Sequence, residues 1–286
     1  MLALVLALST SLCWGVADFL GGLQARRRHV LVVLLISQAV SLAGLAVVVA
    51  ARGQAPPDIA KLLPAAAAGV AGVAGLTAFY QALAIGTMSI VAPVSATGVC
   101  IPIIVGIAGG ERPAALQIAG ILAACGGVIL ATRESEEDEH RAAASRASIL
   151  LALVAAVGFG VFTVGLRASA RSDVLWTLCS ERVASVAAVA IAVGVLVRRG
   201  AITRAAAGPA RTMPPVVLIG VLDLCGVGLY ALASRRGLLS IVAVGASLYP
   251  LVTVLLARTV LRERVQRIQE VGIAAAVLGV VMIAGG

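Results

Sequence analysis

The four residues Ser89-Ile90-Val91-Ala92 occur again as Ser240-Ile241-Val242-Ala243, 151 positions further along a chain of 286 residues. Downstream of each copy a second pattern recurs at an offset of 152: Glu111, Gln117, Gly120 and Gly127 return as Glu263, Gln269, Gly272 and Gly279. Upstream, looser pairs follow in the same order: Trp14-Gly15 with Phe159-Gly160, Gln38 with Arg182, and Tyr80 with Tyr230. The sequence therefore predicts two halves of similar structure.

Each half consists of apolar runs separated by short polar breaks. The composition is 61% hydrophobic and 12% charged, with a mean hydropathy of +1.09, whereas about a quarter of the residues of a soluble domain are charged. A helix needs about 20 mostly apolar residues to cross a bilayer. Runs of this kind lie at 2–21, 30–51, 62–84, 88–109, 113–132, 147–168, 174–197, 213–233, 238–257 and 265–284. The chain is therefore predicted to be a multi-pass protein embedded in a lipid bilayer.

The number of runs in each half determines how the two halves relate. Five spans are an odd number, so the second half enters the membrane from the side opposite to the first. The predicted fold class is an all-α integral membrane protein whose ten transmembrane helices form two inverted five-helix repeats. We predict the first repeat at residues 1–132, a charged linker at 133–146 and the second repeat at 147–286.

The net charge of +9 does not indicate a nucleic-acid partner, because the arginines lie in the breaks between apolar runs. Cations normally occupy these juxtamembrane positions. The breaks after odd-numbered spans contain about twice as many cations as the others, and the positive-inside rule then places both chain ends outside the cell. His29 and His140 lie in loops far apart in sequence. Neither a metal site nor a cofactor is predicted.

The order of these motifs is similar to that of the EamA family within the drug/metabolite transporter superfamily. The resemblance covers the whole chain and rests on Trp14-Gly15, Pro93, Pro250, and the duplicated pattern of Glu111 to Gly127 and Glu263 to Gly279. It implies tandem five-helix units that carry small solutes across the plasma membrane, with both ends in the cytoplasm, opposite to the charge count. Asp18 and Asp223 depart from the family pattern. Because the family carries amino acids, sugars, nucleotide derivatives and drugs, the resemblance leaves the solute open.

Four of the charged residues inside predicted spans are candidates for a site: Asp18, Glu181, Arg182 and Asp223. Charges within hydrocarbon cost several kcal/mol and tend to face a cavity or a partner. Counting about 1.5 Å per residue along each helix places the last three at a common depth. We hypothesise that Arg182 is neutralised by Asp223 or Glu181, leaving one carboxylate able to bind a cationic group or a coupling proton. The alternative is an ion pair that only holds spans 7 and 8 together; Asp18 is expected near the interface.

Aromatic and polar side chains complete the predicted site. Tyr80 and Gln81 fall near one side of the membrane and Tyr230 near the other, so each tyrosine is a candidate for closing one gate. Anchoring of helix ends at the interface is the alternative for the tyrosines. The residues expected to line the route between the gates are Trp14, Gln38 and Ser247.

Prolines and glycines inside the spans predict irregular helices and close packing. Pro93 and Pro102 in span 4 and Pro250 in span 9 remove backbone donors and free carbonyls that a cavity can use. Kinks without any ligand contact are the alternative. A stretch of glycines at 69–75 in span 3 permits a close helix approach.

The ends of the two repeats are expected to be structural. Glu111 and Glu263 precede spans 5 and 10, where a carboxylate is favoured by the exposed amides at the start of its own helix. Beyond Gln117 and Glu270, spans 5 and 10 have almost no polar side chains. We expect them to form a peripheral scaffold.

These features favour a secondary transporter, by preference an exporter, that moves a small organic metabolite or drug-like solute by alternating access. No G-x-x-x-x-G-K-[ST] motif supplies nucleotide energy. An intramembrane enzyme acting on a lipid or peptide is one alternative, but there is no H-E-x-x-H motif and the clustered acids lie in the linker. The chain is therefore predicted not to be an enzyme. A channel or a structural membrane subunit is the other alternative, and a homodimer is left open.

Overall fold

The computed structural model of the protein describes residues 2–131, 139–202, 213–262 and 267–285, and within these ranges all regular structure is helical. The helices of the first half are α1 (Leu2–Ala25), α2 (Val30–Arg52), α3 (Leu63–Ile85), α4 (Met88–Ala96), α5 (Cys100–Ala108) and α6 (Ala115–Ala131). Those of the second half are α7 (Glu139–Ala170), α8 (Val174–Arg198), α9 (Pro214–Arg236), α10 (Leu239–Ala246), α11 (Tyr249–Val260) and α12 (Arg267–Gly285).

Eight segments of the described chain are long and apolar enough to cross a membrane. They correspond to predicted spans 1 to 4 and 6 to 9, so the multi-pass architecture predicted from composition is confirmed. Helices α6 and α12 occupy the positions of spans 5 and 10, with 17 and 19 residues. They pack chiefly against each other. Their crossing of the membrane, and with it the count of ten, stays a prediction.

Spans 4 and 9 are each built from two helices rather than one. In span 4 the chain passes from α4 through a 3-10 turn at Thr97–Val99 into α5. Pro93 lies inside α4 and Pro102 in the first turn of α5, and each removes a backbone donor from the ladder around the break. In span 9 the break falls at Ser247 and Leu248, and Pro250 opens α11, where a missing donor costs little.

The two halves run in opposite directions, as the contacts between α2 and α8 demonstrate. These helices occupy the same place in the two repeats. Arg52, at the end of α2, forms an ion pair at 2.8 Å with Asp173, which caps the start of α8. Gln38, earlier in α2, bonds to Arg182, later in α8. Because these equivalent helices pack antiparallel to each other, the two halves of the chain run in opposite directions.

The packing between the halves occurs in two equivalent copies, one on each side of the α2–α8 pair. Helix α3 packs on α7 and α8, and in the same way α9 packs on α1 and α2. In one copy Ser185 donates to the carbonyl of Gly69 at 2.9 Å; in the other Ser41 donates to the carbonyl of Gly220 at 2.5 Å. Both contacts depend on a glycine because the opposing backbone lies against its Cα. The predicted close approach at 69–75 thus joins the two halves.

We expect Gly69→Ala to destabilise the protein. The added methyl group would overlap the Glu181 carbonyl oxygen and lie 3.0 Å from Ser185 Oγ, and overpacking of this kind costs about 1–3 kcal/mol. The measurement is the unfolding midpoint in detergent micelles. Gly194→Ala is the matched control, because a methyl group there meets no atom within 4 Å. Equal midpoints for the two variants would contradict the proposed contact.

Candidate functional site

A cavity lies where the two halves meet. Its empty space, counted together with its opening to solvent, is about 790 Å³. The lining comes from α1 to α5 in the first half and from α7 to α11 in the second. Both breaks, in spans 4 and 9, border it. Interrupted helices at the centre of inverted repeats are the usual position of a transporter site.

Arg182 is the centre of the polar wall and is only 1% exposed. Its Nη1 donates to Asp223 Oδ2 at 2.8 Å and also to Gln38 Oε1. Its Nε lies 3.5 Å from Glu181 Oε2. Arg182 and Gln38 are equivalent in the two repeats, so their bond lies on the axis that relates the halves. The sequence placed Glu181, Arg182 and Asp223 at a common depth, and in the structure Arg182 contacts both carboxylates.

The charged cluster is incompletely paired. Within the described residues, Arg182 Nη2 has no hydrogen-bond partner although it is buried. Glu181 Oε1 accepts from Ser185 Oγ at 2.9 Å, while its Oε2 has the Arg182 ion pair and no hydrogen bond. Unused polar atoms in a low-dielectric wall are costly unless a ligand or water satisfies them.

Aromatic rings also line the cavity. Trp14 and Phe162 lie with ring centroids 6.4 Å apart, and Phe159 meets Tyr249 edge-on at the same separation. The Tyr249 hydroxyl group is held by Ser95 Oγ at 2.7 Å. The cavity therefore combines a charged wall with flat apolar surfaces.

The structure places six of the nine predicted polar and aromatic residues, together with Pro102, at the cavity: Trp14, Gln38, Glu181, Arg182, Asp223 and Ser247. The other three of the nine, Tyr80, Gln81 and Tyr230, do not line it. Gln81 is exposed, because one residue along a helix turns the side chain by about 100° away from the buried face of Tyr80. Pro93 and Pro250 border the breaks without lining the cavity.

Tyr80 and Tyr230 are buried at 1% and 0% exposure and do not line the cavity. Their burial does not fit the anchoring of helix ends at the interface, and their part in closing the gates stays a prediction. Tyr230 stacks on Trp14 at 5.8 Å, and the equivalent contact in the other half is Phe79 on Phe159 at 5.6 Å. The expected pairing of Tyr80 with Tyr230 is therefore wrong by one residue.

Sequence reasoning missed Asp18. Its side chain is buried and lines the cavity rather than lying at the interface. The expectation was based on depth alone, and depth does not tell which way a helical side chain faces. The signal was spacing: Asp18 follows Trp14 by four residues, which places both on one face of α1.

The position of Glu111 also differs from the sequence prediction. It stabilises the start of a helix, but that helix is α10 in the other half: Glu111 Oε1 accepts from Leu239 N at 2.7 Å and lies 3.3 Å from Arg167 Nη2. Arg167 also donates to the Gly237 carbonyl at 3.1 Å. We call Glu111, Arg167 and Leu239 the inter-half latch. Glu263, its counterpart in sequence, lies outside the described residues.

Comparisons with known proteins agree with this architecture. The model of the EamA-like transporter family matches the chain twice, at residues 1–133 and 146–285. No curated protein sequence matches the chain. One crystal structure aligns over 98% of this chain and 94% of its own length, with a TM-score of 0.72 and 16% sequence identity. At that identity the likeness establishes the fold alone.

Proposed function

The chain belongs to the EamA-like transporter family, and from this premise we propose that it is a secondary carrier that moves a small organic solute by alternating access. The family consists of membrane transporters of the drug/metabolite type. The observation that supports the finer proposal is the central cavity bounded by two oppositely directed halves. In this arrangement one half can rock against the other around a fixed site.

We propose that the solute binds against the Arg182 cluster. The supporting observation is the unpartnered Nη2 of Arg182 beside Asp223 and Gln38 in the cavity wall. Trp14 faces the same space and offers an apolar surface. Export across the plasma membrane is the proposed direction, and everted vesicles test it because they expose the cytoplasmic face to the added solute.

Counterflow in proteoliposomes tests carriage itself. Vesicles loaded with unlabelled amino acids, sugars or organic cations are diluted into the same solute in labelled form. A carrier accumulates label transiently above equilibrium, because the outward gradient of unlabelled solute drives exchange. A channel only equilibrates the label. Loss of lipid or peptide substrate without any exchange would favour the intramembrane enzyme and overturn the proposal.

A further inference from the structure

The carboxylate of Asp18 makes no hydrogen bond or ion pair with the charged cluster of Arg182, Glu181 and Asp223. It is 7% exposed and lines the cavity. Among the residues that the structure describes, no hydrogen bond or ion pair involves its side chain. Among the described residues, the titratable groups that interact electrostatically with Asp18 are Asp223 from α9, Tyr80 from α3 and Tyr249 from α11. Asp223 carries like charge, and the tyrosines are neutral.

The charges that line the cavity do not balance. Among the residues that the structure describes, three carboxylates, those of Asp18, Glu181 and Asp223, share the cavity with one guanidinium, that of Arg182. Arg182 contacts Glu181 and Asp223, so its charge is already shared between two acids. The other hydroxyl and amide side chains that line the cavity are neutral: Gln38, Ser95, Thr163, Ser185, Ser247 and Tyr249. A cation or a proton must therefore accompany the Asp18 carboxylate in this low-dielectric wall.

The surroundings of Asp18 suit an organic cation better than a metal ion. Trp14 precedes it by one helical turn, and the rings of Phe159, Phe162 and Tyr249 line the same cavity. Aromatic faces attract cations and also bury an apolar body. A small divalent ion would need several oxygen ligands around it, and among the described residues no group of three or more His, Cys, Asp or Glu could hold a metal ion.

We infer that the cavity selects organic monocations and that Asp18 carries either the cationic group or a proton, but not both. This inference rests on the proposed carrier function. Each cation that binds to the Asp18 carboxylate releases one proton, and each proton that returns releases the cation. The result is an exchange of one monocation for one proton that moves no net charge.

Labelled phenyltrimethylammonium is a suitable probe, because its charge is permanent and cannot titrate. We expect the purified protein to bind it and to release protons on binding. Affinity should fall as the pH is lowered, because protons compete for the carboxylate. Benzenesulfonate, of opposite charge and similar size, should not compete.

Asp18→Asn is expected to lower the affinity for phenyltrimethylammonium by about 30-fold or more, the effect of removing a desolvated charge partner, and to abolish proton release. Asp18→Glu should recover part of both. Asp58→Asn is the matched control, since Asp58 caps the short 3-10 helix at Ile59–Lys61 and is absent from the cavity. It should behave as the wild type does.

The outcomes separate this inference from the carrier proposal. Counterflow of a sugar or a neutral amino acid without binding of phenyltrimethylammonium would overturn the inference and leave the carrier intact. Binding with proton release but no counterflow of any solute would overturn the carrier and keep the site. Unchanged binding by Asp18→Asn, with folding verified by the unfolding midpoint, would assign the cation to another acid and refute the role of Asp18.

Discussion

An Arg182→Ala variant is expected to reach the membrane in normal amount and to lose transport. Insertion should not suffer, because the change makes α8 more apolar. The site should fail, because Glu181 and Asp223 then lie in the cavity wall without the guanidinium that contacts both of them. Removing one partner of a buried ion pair costs about 3–5 kcal/mol. The measurement is the initial rate of counterflow, normalised to protein in the vesicles.

Two further variants separate a binding role from a structural one. Arg198→Ala removes an exposed arginine from the end of the same helix and should transport normally. Arg182→Gln combined with Asp223→Asn removes one charge of each sign, so the wall keeps its net charge and its bulk. If this double variant is as stable as the wild type and still inactive, the ion pair acts on the solute. Normal counterflow by Arg182→Ala would refute the role altogether.

The architecture could be predicted because the sequence repeat and the apolar run lengths indicate it directly. The copies of Ser-Ile-Val-Ala begin at Ser89 and Ser240, which lie at the starts of equivalent helices, α4 and α10. Apolar run lengths located eight spans, since lipid imposes a minimum helix length on any sequence. Pro102 and Pro250 marked the two spans that break. These signals are local or periodic, so one chain suffices to see them.

The site was predictable only in depth. Counting residues along α8 and α9 placed Arg182 and Asp223 at one level, and the structure joins them at 2.8 Å. The same count misplaced Asp18 and Gln81, because rotation about the helix axis decides whether a side chain faces a cavity, and in these nearly uniform apolar helices no polar stripe indicates it. The helix that Glu111 stabilises was mispredicted for a different reason. Its partner α10 is more than a hundred residues away, and only tertiary packing brings it near.

The inter-half latch offers the second test with a large expected effect. Glu111, which follows α5, contacts Arg167 near the end of α7 and Leu239 at the start of α10. All three elements meet at the end of the protein where α1 begins. In a rocking mechanism, contacts that join the halves at one end must part when the cavity opens there. A covalent link at this point should therefore hold the carrier in one state.

We expect Glu111→Cys combined with Arg167→Cys, in a background without the native cysteines, to lose counterflow when treated with a short reducible bis-methanethiosulfonate. Reduction should restore the rate to that of the untreated double variant, which is the proper baseline because the ion pair is already gone. Either single cysteine variant, treated alike, should be unaffected. A linked protein that still exchanges solute at its baseline rate would mean that this end of the protein does not open, and alternating access through it would have to be abandoned.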